Sequence, residues 1–414
     1  MTSSCPSTYS TSRTSKVSLL HLAAASIAAT IVAAEPIRAL SYHYRRKSED
    51  DDKNNDENVE TDNNINDIDG DIRVKLDGTL VTDADLIAQS CIVRILRKVE
   101  GDFVIVGEEE GCSGESGDGD DPVDALHKKY VSNFSRELED NESDRIFRLA
   151  QEEVLHRYFG GGRCSLAEGV MTNPISDDEI YSKLNEDDDT IFVDPSRVRV
   201  FVDPLDGTKS YANGDYDIVT ILVAIVLDGS PHFGVITKPF GYKGHASVLS
   251  TPCVTLYGGP LLNNVYFAGA GPAASPSSLL PRRAVISASR SGGVVRTVVD
   301  QLAEGTSNNF LAEPLEVSGA GEKSLRLIVG TEQECLWFFP MPGTSRWDVA
   351  ASDALLRAMG GKLTDKYGKE LDYLKDRDES ENMDGIIASN DAELHEECIR
   401  LFNEGKWERD NNLA

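Results

Sequence analysis

The sequence predicts an α/β fold built in two halves, and three features carry that expectation. Apolar runs of strand length, such as residues 198–202 and 335–339, alternate with stretches of helical spacing, such as 86–96 and 349–359. The runs 218–227 and 233–237 flank Asp228-Gly229-Ser230 and read as a hairpin in one sheet. Residues 272–281 are rich in Ala, Ser and Pro and mark a boundary between the halves. A chain of 414 residues with a hydrophobic fraction of 40% is long and apolar enough for two substantial cores.

The organisation expected along the chain is fourfold. Residues 1–16 are rich in Ser and Thr and lack acids, with Arg13 and Lys16 as cations. Residues 17–34 form an Ala-rich apolar run interrupted by His21, about as long as a short membrane span. Arg38, Arg45, Arg46 and Lys47 follow, so cations lie on both sides and fix no orientation. Residues 1–47 therefore read as a targeting or anchor segment outside the fold: a cleaved signal, a plastid or mitochondrial transit sequence, or an endomembrane signal anchor. A tail without an address is the plainer alternative. Residues 48–71 are acidic and Asn-rich, with little to bury, and read as a disordered linker. The folded part is expected as an N-terminal half, 72–280, and a C-terminal half, 281–414.

The formal charge of −29 argues against a nucleic-acid polymer as partner, because nothing offsets phosphate repulsion. A small phosphorylated substrate held through metal and a few local cations stays compatible with it. The seven cysteines contain no C-x-x-C pair, so neither a zinc ribbon nor a disulfide framework is indicated. No G-x-S-x-G elbow, H-E-x-x-H pair or Walker-type lysine occurs. Chemistry must then run on carboxylates and hydroxyls.

Four acid-bearing segments fall at predicted element ends. Val81-Thr82-Asp83-Ala84-Asp85 opens a helix over 86–96, where capping alone would also explain Thr82 and Asp85. A strand over 103–106 ends in Gly107-Glu108-Glu109-Glu110, a solvated loop or a metal corner. The strand over 198–202 runs into Asp203-Pro204-Leu205-Asp206-Gly207-Thr208-Lys209, which could be a surface turn or a cation site. Trp347-Asp348-Val349-Ala350-Ala351 starts a helix that ends at Gly360-Gly361. Carboxylates gathered at close quarters repel unless cations neutralise them, so the four segments together predict bound divalent metal. Two metals about 4 Å apart suit in-line phosphoryl displacement.

Other elements are expected as helices over 125–138 and 144–158, with Gly160-Gly161-Gly162 closing the second, and a flexible loop over 111–121. Strand-like runs lie at 246–249, 265–269, 284–287 and 385–389. Val317-Ser318-Gly319-Ala320-Gly321-Glu322-Lys323 leads into a helix whose small first residues would let backbone N–H groups approach an anion. A final helix covers 393–402.

Together, Gly107-Glu108-Glu109, the turn from Asp203 to Thr208 and Trp347-Asp348-Val349-Ala350-Ala351 with Gly360-Gly361 resemble the lithium-sensitive, magnesium-dependent phosphatases typified by inositol monophosphatase, over about residues 72–404. Within that superfamily the sequence is most similar to 3'(2'),5'-bisphosphate nucleotidases. The similarity rests on Lys209, Val219-Thr220-Ile221-Leu222, Gly234-Val235-Ile236 with Lys238-Pro239-Phe240, Ser289-Arg290-Ser291, and Gly319-Ala320-Gly321 with Lys323. The resemblance implies a five-layer α-β-α-β-α sandwich and two or three Mg²⁺ ions. It implies metal ligands at Glu108, Asp203, Asp206, Asp348 and the Leu205 carbonyl, and a water-activating pair in Asp85 and Thr208. Thr208, Ser289, Gly319, Lys323 and Asp348 would meet substrate, with Lys323 and Arg346 offsetting its phosphate charge. Gly292 and Gly293 stand where the family usually carries a histidine, and the stretch between Glu108 and Asp203 is longer than usual. The implied activity removes the 3'-phosphate of adenosine 3',5'-bisphosphate and of 3'-phosphoadenosine 5'-phosphosulfate. An inositol mono- or polyphosphate 1-phosphatase is the alternative on the same metal site, and a non-catalytic binding protein on the same fold the remote one.

Overall fold

The computed structural model describes residues 16–54, 72–74, 80–109, 136–159, 166, 188–242, 245, 251–268, 282–288, 293–305, 313–330 and 333–405. In chain order the elements are β1 (Val17–Ser18), α1 (Leu19–Asn54), β2 (Ile72–Val74), β3 (Leu80–Thr82), α2 (Asp83–Leu96), β4 (Val104–Gly107), α3 (Arg136–Tyr158), β5 (Phe192–Val193), β6 (Val198–Asp206), α4 (Thr208–Ala212), β7 (Thr220–Leu227) and β8 (Ser230–Lys238). They continue with β9 (Val254–Gly259), β10 (Asn264–Phe267), β11 (Arg283–Ser287), α5 (Gly293–Gly305), β12 (Leu315–Val317), α6 (Ala320–Val329), β13 (Glu334–Phe339), α7 (Arg346–Ala358), β14 (Lys362–Thr364), β15 (Ile386–Ser389) and α8 (Ala392–Gly405).

Six strands form the first sheet in the order β10-β9-β8-β7-β6-β4. Its neighbours are antiparallel except β4, which runs parallel to β6 at the edge. Both faces are covered, which is why β7 is a continuous apolar run with every residue buried. Val200, Val202, Val223 and Val235 point to the side of α1, α2 and α3, while Phe201, Leu222, Ala224 and Ile236 point to α6 and α7. The second sheet has the order β12-β11-β13-β15-β14. Val285, Trp337 and Ile386 face α6 and α7, and Ala284, Ile286 and Phe338 face α5 and α8. The result is the expected α-β-α-β-α layering, in a mixed α/β fold.

The largest departure from the sequence reading lies at residues 17–54. The run set outside the fold is the start of α1, whose residues from Leu19 to Leu40 belong to the main core. The stretch Leu19–Ser41 is long and apolar enough to cross a membrane by length and composition, yet 78% of its apolar window is buried inside the protein. A helix enclosed on all sides carries the same all-round apolar composition as a span, and alanine allows close approach to neighbours. Its polar groups also have partners in the first sheet and the segments beside it. The Thr237 hydroxyl donates to Thr30 Oγ1 at 2.8 Å, the Tyr211 hydroxyl to the Ile37 carbonyl at 2.7 Å, and Arg38 to the Pro239 carbonyl at 3.1 Å. The helix continues to Asn54, into the stretch read as a linker; residues 55–71 lie outside the described residues.

Smaller differences follow from weak local signals. α3 covers the second of the two expected helices and reaches back to Arg136, at the end of the first; residues 125–135 lie outside the described residues. So do 111–121, Gly160-Gly161-Gly162, the expected strand at 246–249, and Ser289-Arg290-Ser291 with Gly292. β9 and α5 were not read from the sequence.

Candidate functional site

Two strand ends bring the first acids together. β4 and β6 are parallel with Gly107 opposite Val202, so both chains leave the sheet at the same end. The Glu108 N–H donates to the Val202 carbonyl at 3.1 Å, which sets Glu108 beside Asp203. The pairing of β6 with β7 is irregular between Asp203 and Asp206, where Pro204 could not have donated to a ladder. Asp203 is buried, and one of its oxygens accepts from the Leu205 N–H at 3.1 Å.

Two helix starts bring the others. Asp85 and Asp348 each occupy the third position of a helix and accept from the backbone N–H of the residue before it. Thr82 N–H donates to Asp85 Oδ2 at 2.7 Å, and Ser345 N–H donates to Asp348 Oδ2 at 2.7 Å. The capping alternative for Thr82 and Asp85 is thus realised, but it engages only one carboxylate oxygen. Asp85 Oδ1 accepts from the Thr208 hydroxyl at 2.9 Å; Thr208 Oγ1 also lies 3.1 Å from the Leu205 carbonyl.

Asp206 is held from both halves. Its two oxygens accept from the Ala320 N–H at 3.1 Å, the Gly321 N–H at 2.8 Å and the Thr220 hydroxyl at 3.0 Å. The carboxylate therefore sits on the N-terminus of α6, where free N–H groups and the helix dipole favour an anion. Gly319 precedes that helix with φ of 75°, and a Cβ there would lie 2.9 Å from Asp206 Oδ2. A Cβ on Gly321 would come within 2.1 Å of Thr220 Oγ1.

The electrostatics express crowding. Burial, then the neighbouring charges of Glu108, Asp206 and Asp348, pushes Asp203 well above the usual carboxylate range. Asp348 is raised likewise, by burial and then by Asp206 and Glu108. Burial lifts Asp85 to about 7, with Glu108 and Glu109 adding to it and the Thr82 hydrogen bonds opposing. Such an all-oxygen, mutually repelling donor set fits a hard divalent cation. No group of three or more His, Cys, Asp or Glu side chains among the described residues is already arranged as a metal shell.

The cations expected near substrate have partners within the chain. Lys323 is buried, donates to the Gly319 carbonyl at 2.8 Å and the Val317 carbonyl at 3.3 Å, and lies over the Trp337 ring. Burial lowers it to about 8, against the pull of Asp206 and Asp348. Arg346, expected to offset substrate phosphate charge, directs its guanidinium to backbone carbonyls instead. It is buried on the carbonyls of Asp372, Ser380 and Glu381, because one guanidinium can serve several acceptors at once. Lys209 is exposed on α4. Ser289 lies outside the described residues.

Three contributors were missed in the sequence: Thr220, which holds Asp206; Gln89, which pairs with the Glu109 backbone; and Arg377, which reaches Gly107 and Glu108. The small-residue start of α6 was visible, but the anion it meets is this chain's own Asp206.

Comparison with known proteins places the sequence in a family. The model of the inositol monophosphatase family matches residues 125–406. The human protein named 3'(2'),5'-bisphosphate nucleotidase 1 is 33% identical over 210 residues, which is 50% of this chain and 60% of the relative. The chain thus spans about three-fifths of the human relative it matches. A Dictyostelium discoideum protein of the same name is 26% identical over 78% of this chain and 84% of its own length. Among solved structures, CysQ from Bacteroides thetaiotaomicron aligns over 90% of this chain and 97% of its own, at 18% identity and a TM-score of 0.49. The family match covers well over half of the sequence: the chain belongs to the inositol monophosphatase family.

Proposed function

We propose that the protein is a Mg²⁺-dependent phosphomonoesterase that removes the 3'-phosphate of adenosine 3',5'-bisphosphate and of its sulfated form. The observation that carries this reading is the Thr208–Asp85 hydrogen bond beside the buried Asp203 and the half-buried acids Glu108, Asp206 and Asp348. The names of the human and Dictyostelium relatives support the nucleotide over other phosphate esters.

Glu108, Asp203, Asp206, Asp348 and the Leu205 carbonyl are the residues that would hold the metal. Bound Mg²⁺ would supply Lewis-acid neutralisation of phosphate charge and lower the pKa of water. The chain's own part begins with Asp85. By accepting the Thr208 proton, its Oδ1 leaves the lone pairs of Thr208 Oγ1 free to accept a proton from an attacking water. A carboxylate lifted to about 7 is matched to proton transfer near neutral pH. Asp206, tied to α6 and Thr220, holds one wall of the cleft to the C-terminal half. Lys323 contributes positive charge from behind the Gly319 turn, where substrate would lie.

The test is a panel with Mg²⁺ on the full chain: adenosine 3',5'-bisphosphate, its sulfated form, inositol 1-phosphate and inositol 1,4-bisphosphate. The highest kcat/KM is expected for the two nucleotides. Preference for an inositol phosphate would replace the substrate assignment, and no turnover of any of the four would sink the phosphatase reading.

A further inference from the structure

Residues 371–382 tie together two acids that lie far apart in sequence. Both ends of this segment gather on Arg346, two residues before Asp348. Its guanidinium donates to the Asp372 carbonyl at 3.3 Å and the Ser380 carbonyl at 2.7 Å, and also reaches the Glu381 carbonyl. Tyr373 adds a second tie to the same helix, donating to Asp353 Oδ2 at 3.0 Å. From the middle of the segment, Arg377 crosses to the other half. Its Nε donates to the Gly107 carbonyl at 3.1 Å, and its Nη2 donates to the Glu108 carbonyl.

The acidic corner is held from below as well. Gln89 on α2 accepts from the Glu109 N–H at 2.9 Å and returns its own amide to the Glu109 carbonyl at 2.7 Å. With the Glu108 N–H on Val202, the backbone polar groups of Glu108 and Glu109 are all engaged, and Arg377 supplies a partner from beyond the first sheet and α2. Two N–H groups of one rigid guanidinium on two successive carbonyls fix a peptide plane, and with it the direction in which the Glu108 side chain leaves the backbone. A lysine ammonium, lacking the fork, cannot do this.

We propose that Arg377 is a positioning residue for Glu108, and that segment 371–382 is a strap setting the separation between the Glu108 and Asp348 carboxylates. The proposal rests on reading both acids as metal ligands. Loss of an outer partner of a metal ligand typically weakens metal binding by about 10–100-fold.

The experiment titrates the full-length protein with Mn²⁺ by calorimetry and records the urea midpoint of the metal-free protein. Wild type is compared with Arg377→Ala and Arg377→Lys. Arg377→Ala is expected to raise the Mn²⁺ Kd by about tenfold or more. Arg377→Lys, which keeps the charge and retains the fold, is expected to recover only part of that loss. Wild-type Kd in Arg377→Lys and in any Arg377→Ala that folds would overturn the proposal, as would a lower metal-free midpoint with unchanged Kd. Absence of Mn²⁺ binding by the wild type would instead overturn the metal reading of the site, and the strap with it.

Discussion

The Thr208 hydroxyl donates to Asp85 Oδ1 at 2.9 Å across 123 residues of chain. Asp85 stands on the first turn of α2 and Thr208 on the first residue of α4, so the contact exists only when α2 packs against the end of β6. Two helix starts meet there, and one proton has its direction fixed between them.

Thr208→Ala and Asp85→Asn are therefore expected to lower kcat by about 10²–10⁴-fold with little change in KM, the range for losing a positioned proton acceptor. Thr208→Ser keeps the hydroxyl and should retain much of the rate. Steady-state kinetics on adenosine 3',5'-bisphosphate decide this. Near-wild-type turnover in both variants would remove the pair from the mechanism.

Gly321→Ala tests the seat of Asp206. Its Cβ would fall 2.1 Å from Thr220 Oγ1, so α6 must shift away from Asp206 or Thr220 must turn. Overpacking of this kind costs about 1–3 kcal/mol. A lower urea midpoint and a higher Mg²⁺ concentration for half-maximal activity should appear together. An unchanged midpoint would show that α6 is not held tightly there.

Helix α1 belongs to the stability of the protein. Ile27 is fully buried, and Ile27→Ala should cost about 2–5 kcal/mol by lost burial and the cavity left behind. A chain lacking residues 1–47 should fail to give a cooperative unfolding transition. Recovery of a folded, active protein from that truncation would show that the segment is dispensable, as a removable leader would be.

His395 supplies one separable part of the pH dependence. It is buried with Nε2 3.0 Å from Thr364 Oγ1, and burial pulls it down to about 4, with Lys362 also opposing the charged form. The folded protein thus binds its proton less readily than the unfolded chain. The contribution of His395 to stability is full above about 6.5 and is lost as pH drops toward 4, by on the order of 3 kcal/mol. The difference in urea midpoint between pH 7 and pH 5 should shrink in His395→Gln. An equal difference in both proteins would place the acid sensitivity elsewhere.

Much of the site could be read from residue order alone. Asp203-Pro204-Leu205-Asp206-Gly207-Thr208 is a contiguous motif, and a parallel strand pair is enough to bring Glu108 beside it. Asp85 and Asp348 were also visible, because acids in the first turn of a helix carry a local signature. Hydrophobic periodicity gave the hairpin of β7 and β8 and the helices α2, α6 and α7, since each repeats within a few residues.

What the sequence by itself determined, then, is the set of acids, the family they resemble and the alternation of helices and strands. The tertiary structure decided the rest. An apolar, Ala-rich run is compatible with a lipid-facing span and with a helix enclosed by protein; only its packing under the first sheet assigns Leu19–Ser41 to the core. Cationic side chains gave no clue to direction. Arg346 turned to backbone carbonyls, and Arg377 reached carbonyls 269 and 270 residues away. Local periodicity records which face of an element is apolar. It holds no information about which distant carbonyl or carboxylate a long polar side chain will meet, because that depends on how the layers stack.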